Sequence, residues 1–367
     1  MKIMHIGEYV NGGVNTYINE VLKYQTKKDD TCQIYVYASK KKSDKVYNES
    51  TKINTVYYKY SRSMFHLVKM IFYFRKKIKI LKPDIIHIHS TFAGFFVRCA
   101  LFTIRSKSKV IYCSHGWSFL MDTSNFKKKI YIICEKILSL CTDKIINISI
   151  YEHNQACKVK LPTKKMLLIN NGISEKKLDN NKKSNASIKM QSKKIKVLFV
   201  GRLDKQKGID ILLKFVMKYK NQNFHFYIIG NSVLDNQYIE FPSNTSYLGK
   251  IDNSYIDDYY QASDVVIIPS RWEGFGLVAI EAMKNKKAII VSNRGALPEL
   301  VNNDNGFVFD IDNIQSLENI FNNLEKKELQ NKGANGYQYF IDNYTSNEMN
   351  KKIYRLYNKL LNREGYN

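Results

Sequence analysis

Residues 271–281, RWEGFGLVAIE, place two carboxylates, Glu273 and Glu281, around a Gly-Phe-Gly bend. The segment directly follows an apolar run, DVVIIPS (264–270), which reads as a buried strand. Gly274 and Gly276 flank Phe275 and let the backbone turn sharply, so a helix is expected to begin near Leu277. The unpaired N–H groups of its first turn suit phosphate or hydroxyl oxygens. Glu273 stands in the loop before that helix. Glu281 lies about one turn inside it, its side chain leaning back towards the N-terminus. An ionised carboxylate only accepts hydrogen bonds, so the two suit two sets of sugar hydroxyls, one on a transferred sugar and one on a ribose.

Three further groups of residues carry chemistry. GRLDKQKG (201–208) follows the strand candidate KVLFVG (196–201), and its Arg202 and Lys207 reach past the strand end, where two cations suit a diphosphate. Gly12 and Gly13 form a turn after KIMHIG (2–7), allowing close backbone approach to an anion at a helix start. No GxGxxG accompanies them, which argues against a dinucleotide. His115 ends the strand candidate KVIYCSHG (109–116), either as a structural residue or beside a reacting sugar. His87 and His89 alternate in DIIHIHS (84–90) and share one face, which points to core or cleft lining rather than metal binding. No Asp-x-Asp motif stands at a useful place in the second half, since LDK (203–205) and YIDDYYQ (255–261) do not supply one. No metal or other cofactor is therefore expected. Arg202, Lys207 and the helix start would meet the charge of a diphosphate leaving group.

The elements that must position these residues form two series. Strand candidates at 2–7, 32–38, 84–90, 109–116, 143–149 and 166–173 alternate with helical segments at 14–25 and 65–82. A polar stretch, 174–194, reads as a linker. A second series follows at 196–201, 225–230, 245–250, 264–270 and 287–293, and residues 349–362 form an amphipathic helix. This alternation argues two α/β, Rossmann-like, doubly wound parallel sheets facing across a cleft, with ligands beyond the carboxyl ends of the strands. The expected division is 1–173, linker 174–194, 195–345, and a C-terminal helix 346–367 that crosses back to the first domain.

The chain has 367 residues and a net charge of +25. Residues 1–184 carry +21 of it and residues 185–367 only +4. Such a surface suits nucleic acid or an anionic membrane, but no nucleic-acid motif accompanies the charge. No leader or membrane span is expected, since the apolar run 91–105 is interrupted by Arg98. The expected location is cytoplasmic, or peripheral on the inner face of the cell membrane. The six cysteines show no CxxC spacing and read as buried free thiols.

EGFGLVAIE resembles the E-x7-E signature of the family-4 glycosyltransferases of GT-B fold, retaining enzymes of bacterial capsule, lipopolysaccharide and mannosyl-lipid synthesis. GGV (12–14), PDIIHIHS (83–90), SHGW (114–117), NNGI (170–173) and GRLDKQKG fall in that family's order, so the resemblance spans nearly the whole chain. It implies a nucleotide-sugar donor in the second domain, UDP-linked from family frequency, and a glycan or lipid-linked glycan acceptor in the first. It further implies that Arg202 and Lys207 bind the diphosphate, Glu273 the donor sugar and Glu281 the ribose. Phe275, Gly276 and Leu277 would offer backbone amides, Ile251 would lie at the base, Gly13 would close over the diphosphate, and His115 would lie near the reacting sugar. The family's residue pairing after that histidine is absent here, where Gly116 and Trp117 follow. A nucleotide-sugar epimerase on the same fold would need acid and base groups across the sugar ring, which the ordered E-x7-E and Arg/Lys set argues against.

Residues 65–82 join an apolar face to Lys69, Arg75, Lys76, Lys77, Lys79 and Lys82, and residues 125–140 repeat the pattern with Lys127, Lys128 and Lys129. Either the apolar faces are core and the lysines solvated, or the helices lie in a membrane interface.

Overall fold

The computed structural model describes residues 1–175, 185–231 and 241–363. Part of the expected linker, residues 176–184, lies outside the described residues. In chain order the elements are β1 (Lys2–Gly7), α1 (Gly12–Lys28), β2 (Gln33–Ser39), β3 (Ile53–Tyr58), α2 (Met64–Leu81), β4 (Ile85–His89), α3 (Thr91–Phe102), β5 (Lys109–Cys113), α4 (Asn125–Leu138), β6 (Lys144–Asn147), α5 (Ile150–Lys158) and β7 (Met166–Leu168). There follow α6 (Ala186–Lys189), β8 (Ile195–Val200), α7 (Ile209–Lys218), β9 (Phe224–Ile229), β10 (Thr245–Gly249), α8 (Ile256–Ala262), β11 (Val265–Ile268), α9 (Leu277–Lys284), β12 (Ala288–Ser292), β13 (Gly306–Phe309), α10 (Ile314–Asn322), α11 (Lys326–Asn343) and α12 (Ser346–Leu360).

The chain divides into two units, Met1–Ile173 with Ser346–Asn367, and Ser174–Thr345. Unit 1 holds a sheet of order β3-β2-β1-β4-β5-β6-β7 and unit 2 one of order β10-β9-β8-β11-β12-β13. Every strand pair among the described residues is parallel. Central strands such as IIHIH and VVII are buried along their whole length, which is why they read as continuous apolar runs. In each sheet the order reverses beside the first strand, at β1/β4 and β8/β11, and the carboxyl ends there diverge to leave room for a ligand.

The structure departs from the sequence reading in several places. Gly12 and Gly13 are not a free turn but the first residues of α1, with Gly12 at φ +51. Two strands, β3 and β13, have no counterpart in the reading, and β7 stops at Leu168 rather than Ile173. A short helix, α6, occupies part of the expected linker. Of the six free cysteines only Cys32 and Cys113 are buried.

The apolar run at 91–105 is α3, packed against α2 and β4. Among the described residues no helix is long and apolar enough to cross a membrane. Arg98 is fully buried, and its guanidinium donates to Glu135 Oε2 at 2.8 Å and to the carbonyl of Gly94 at 2.8 Å. It also lies 3.8 Å from the centre of the Tyr112 ring, whose hydroxyl donates to Glu135 Oε1. Removing one partner of a buried ion pair strands the other charge, so Glu135→Ala should destabilise unit 1 by about 3–5 kcal/mol. Urea unfolding followed by Trp117 fluorescence measures it, and Arg98→Met with Glu135→Leu should recover part of the loss.

Candidate active site

In unit 2 the candidate residues gather at the β8/β11 reversal. Val200 ends β8, and the loop after it carries Arg202 and Lys207 before α7 begins at Ile209. Ile268 ends β11, and the loop after it carries Glu273 before α9 begins at Leu277. The two loops are bonded together: the Arg271 N–H donates to the Gln206 carbonyl at 2.8 Å, and the Arg271 guanidinium makes a two-pronged ion pair with Asp210 at 2.7 Å. Across this join the Lys207 ammonium donates to Glu273 Oε1 at 2.5 Å, and the Ser270 hydroxyl donates to the same oxygen at 3.0 Å. The pair is mostly buried, with 21% of the Lys207 side chain and 12% of the Glu273 side chain exposed.

Arg202 is more open. Its guanidinium contacts Asp204 at 3.1 Å and donates to the Gln206 side chain at 2.5 Å. Gly276 caps α9 in the left-handed region at φ +106, offers no capping side chain, and is followed by a first turn without an acidic residue. The first-turn N–H groups are therefore not capped by a side chain at that position, an arrangement that favours an anion. The Phe275 side chain is core, packed edge-on to Tyr344, so only its backbone faces the loop surface. Ile251, partly exposed, follows the end of β10.

Glu281 lies one turn into α9 and accepts from the Tyr260 hydroxyl at 2.8 Å. Although some of the residue meets solvent, burial around its carboxyl pushes the pKa up to about 6, against the pull of the Tyr260 hydrogen bond. Nearby Asp257 adds to the rise, while Lys284 and Lys207 oppose it.

Gly13 and His115 belong to unit 1. Gly13 is exposed in the first turn of α1. His115 follows β5 with φ +53, a left-handed backbone that is uncommon for a residue with a side chain and costs strain energy. Beside it, Ser90 at φ +79 follows β4 and its N–H donates to the Cys113 carbonyl at 3.1 Å. His87 and His89 are fully buried, as is His5 on the adjacent β1.

Several residues in these constellations are not singled out by the sequence. Ser270 holds Glu273, and the Ser292 hydroxyl in turn donates to the Ser270 carbonyl at 2.5 Å. Tyr260 holds Glu281, and Gln206 bridges Arg202 to the Trp272 carbonyl. In unit 1, buried Glu8 takes a two-pronged bond from Arg62 at 2.7 and 3.1 Å. Ser270 was the most legible of these, as the residue just past an apolar strand.

Comparison with known proteins assigns these features to a family. The sequence profile described as Glycosyltransferase Family 4 matches residues 11–177, and that described as Glycosyl transferases group 1 matches residues 180–356. An uncharacterised 41.2 kDa protein from the cps region of Klebsiella pneumoniae is 38% identical over 308 residues, 82% of this chain and 83% of that one. The capsular polysaccharide biosynthesis glycosyltransferase CapM of Staphylococcus aureus is 28% identical over 319 residues, 80% of each chain. The Anabaena protein HepE, solved with UDP-glucose, superposes with a TM-score of 0.78 at 17% identity, over 98% of this chain and 100% of that one. With both sheets parallel and both profiles matched, the chain belongs to the family-4 glycosyltransferases of GT-B fold, enzymes of surface polysaccharide synthesis.

Proposed function

We propose that this glycosyltransferase moves a hexose or N-acetylhexosamine, with retention of configuration, from a UDP-linked donor to a growing lipid-linked glycan at a membrane surface. The observation that carries the donor half of the reading is the Lys207–Glu273 contact at the mouth of α9. It sets a cation and a carboxylate acceptor side by side, with Arg202 on the neighbouring loop. A diphosphate would draw on the spare N–H donors of Lys207, on Arg202 and on the first turn of α9, and these would carry the charge that develops as the glycosidic oxygen leaves. Glu273 would then accept from donor-sugar hydroxyls and Glu281 from the ribose. The UDP assignment is supported by HepE, whose structure holds UDP-glucose in the same fold. Retention is supported by the family's E-x7-E signature.

The acceptor half rests on unit 1. Helix α2 buries Met70, Phe74 and Ile78 but leaves Phe65, Val68, Phe72 and Ile80 exposed. Helix α4 buries only Glu135 and Leu138 and leaves Phe126, Ile130, Ile133 and Ile137 exposed. Lys69, Lys76 and Lys79 lie among the first set and Lys127, Lys129 and Lys136 among the second, all exposed. Both helices pack on α3. Apolar side chains flanked by lysines suit the headgroup boundary of an anionic bilayer, at about 1 kcal/mol per basic residue near the surface.

The reading is tested by release of UDP from UDP-sugars with and without undecaprenyl-diphosphate-linked glycan. Acceptor-dependent release, with the anomeric configuration of the product read by NMR coupling, is expected; epimer formation without acceptor would refute it. Glu273→Gln should lower kcat on the order of 100-fold while leaving UDP binding nearly intact, as expected of a lost positioning contact.

Glu281 gives a pH dependence. Its carboxylate would accept ribose hydroxyls more strongly when ionised than when protonated, so UDP affinity should fall as pH drops through about 6. Calorimetry between pH 5 and 8 reads this, and Glu281→Gln should flatten the profile. Stability moves the other way. A carboxyl raised above its ordinary pKa of 4.5 binds its proton more readily folded than unfolded, so its unfavourable contribution fades as pH falls from about 6 towards 4.5.

Flotation with phosphatidylglycerol vesicles tests the surface. Binding should be strong at low salt, weaken at high salt, and be lost in Phe72→Ser with Phe126→Ser, with no binding to phosphatidylcholine vesicles.

A further inference from the structure

Four histidines of unit 1 lie in the sheet and at the end of one of its strands. His5 is on β1, His87 and His89 are on β4, and His115 follows β5. Three of them form a continuous chain. Gln25, buried on α1, places its Oε1 3.1 Å from His5 Nε2. His5 Nδ1 lies 3.1 Å from His89 Nε2, and His89 Nδ1 lies 3.0 Å from His115 Nε2. His5 and His89 are fully buried, whereas His115 keeps some exposure.

A neutral imidazole has one donor and one acceptor nitrogen, so such a chain can run in only two orders. Gln25 selects between them. Its amide nitrogen points to the Tyr357 hydroxyl at 3.5 Å, and that hydroxyl lies 2.6 Å from His87 Nδ1. The oxygen is thereby left to face His5, and an oxygen can only accept. His5 must then carry its proton on Nε2, His89 must donate from Nε2 to His5 Nδ1, and His115 must donate from Nε2 to His89 Nδ1. Burial keeps every ring neutral: the pKa of His5 is lowered to about 4 and that of His115 to about 3, while His87 and His89 are held well below the ordinary value.

We propose that Gln25, acting through His5 and His89, locks His115 in the neutral Nε2–H tautomer, so that its Nδ1 lone pair is presented as a hydrogen-bond acceptor to a hydroxyl of the bound substrate. This rests on the transferase reading above. Among the described residues His115 Nδ1 has no hydrogen-bond partner, which leaves it free for a ligand. His115 then recognises a substrate hydroxyl and supplies no proton to the reaction. Gln25, His5 and His89 are positioning residues, and none needs to touch the substrate.

One competing use of the same atoms exists. His5, His87 and His89 each offer a nitrogen, all within 4.8 Å of one another, and His87 Nε2 has no partner among the described residues. A divalent ion there would need the lone pair of His89 Nε2, which the chain uses as a donor.

The test is made on the full chain labelled with 15N-histidine, with His115→Asn used to assign the His115 signals. Long-range proton–nitrogen correlation without substrate should show His115 unprotonated at Nδ1. Gln25→Met removes the oxygen and should convert His115 to a mixture of tautomers, with a fall in kcat of about tenfold and unchanged Kd for UDP. Gln25→Glu keeps an acceptor at that place and should restore the single tautomer and most of kcat. Thermal melts verify that both variants fold. His115 protonated at Nδ1 in the wild type, or no change in Gln25→Met, overturns the proposal. So does stoichiometric uptake of zinc or cobalt by the wild type. A tautomer change with unaltered kcat overturns the substrate contact. Because the tautomer is read without substrate, failure of the chain is distinct from failure of the transferase reading, which Glu273→Gln tests on its own.

Discussion

The candidate site in unit 2 depends on how closely two stretches of backbone approach each other at the carboxyl ends of β8 and β11. Gly208, at φ +72, has the Pro269 carbonyl oxygen 1.9 Å from where a Cβ would stand. Gly295, at φ +62, has the Glu273 carbonyl oxygen 2.3 Å from the same position. No side chain fits at either place, and glycine alone adopts those dihedrals without strain. Three loops, after β8, β11 and β12, are thereby pressed together, and the Ala296 N–H donates to the Glu273 carbonyl at 3.1 Å. Glu273 is fixed through its backbone from one side and through Ser270 and Lys207 from the other. Its carboxylate is positioned before any ligand arrives, which is what makes a hydrogen bond to a sugar effective in the transition state.

The two units solve the problem of polar groups at a strand end in opposite ways. Unit 2 uses opposite charges, a Lys207–Glu273 pair that is mostly buried but keeps some contact with solvent and leaves Lys207 with further N–H donors. Unit 1 buries neutral rings in series, where each donor meets an acceptor and no net charge is left in the interior. A charge pair gives strength, because an ammonium paired to one carboxylate still has two N–H donors for a second anion. A neutral directed chain gives orientation, because one amide oxygen decides the tautomer of a ring three bonds away in the network.

These differences explain which parts were legible in the sequence. The central strands were, because burial on both faces leaves a continuous apolar run. The edge strand β3 was not: only its end residues Ile53 and Tyr58 are buried, so INTVYY shows neither a continuous apolar run nor a clean alternation, and the four residues of β13 are too few to show a period. Gly12 and Gly13 read as a turn because glycine is a poor helix former, yet they open α1, where the first turn lacks the bonds that glycine weakens. In the site, Glu273, Glu281, Arg202 and Lys207 stood out because a strand, a bend and a helix start announced them. Tyr260, Gln25 and His5 did not, because their partners lie elsewhere in the chain. His5 meets His89 across 84 positions, and no local pattern encodes that pairing.

The amphipathic helices were legible in type and left open in use, and the burial pattern bears on the two uses. A helix needs one apolar stripe to dock on a sheet, and α2 has it in Met70, Phe74 and Ile78, spaced four apart. Phe65, Val68 and Phe72 lie off that stripe and contribute nothing to the core they flank. In α4 the surplus is larger, since Leu138 is its one fully buried apolar residue. Isolated exposed apolar residues are ordinary, but a run of phenylalanines and isoleucines on two helices packed against a common third is costly in water unless something covers it. The charge narrows what that can be. Lysines set among the apolar side chains repel a second copy of the same face and attract an anionic one. Net charge of +21 in residues 1–184, against +4 in the remainder, concentrates that attraction on the unit that the reading assigns to the acceptor. On the proposed function, a lipid-linked acceptor and a basic apolar face on one unit would be a single requirement, since the glycan end of the acceptor would be reached where its lipid is held.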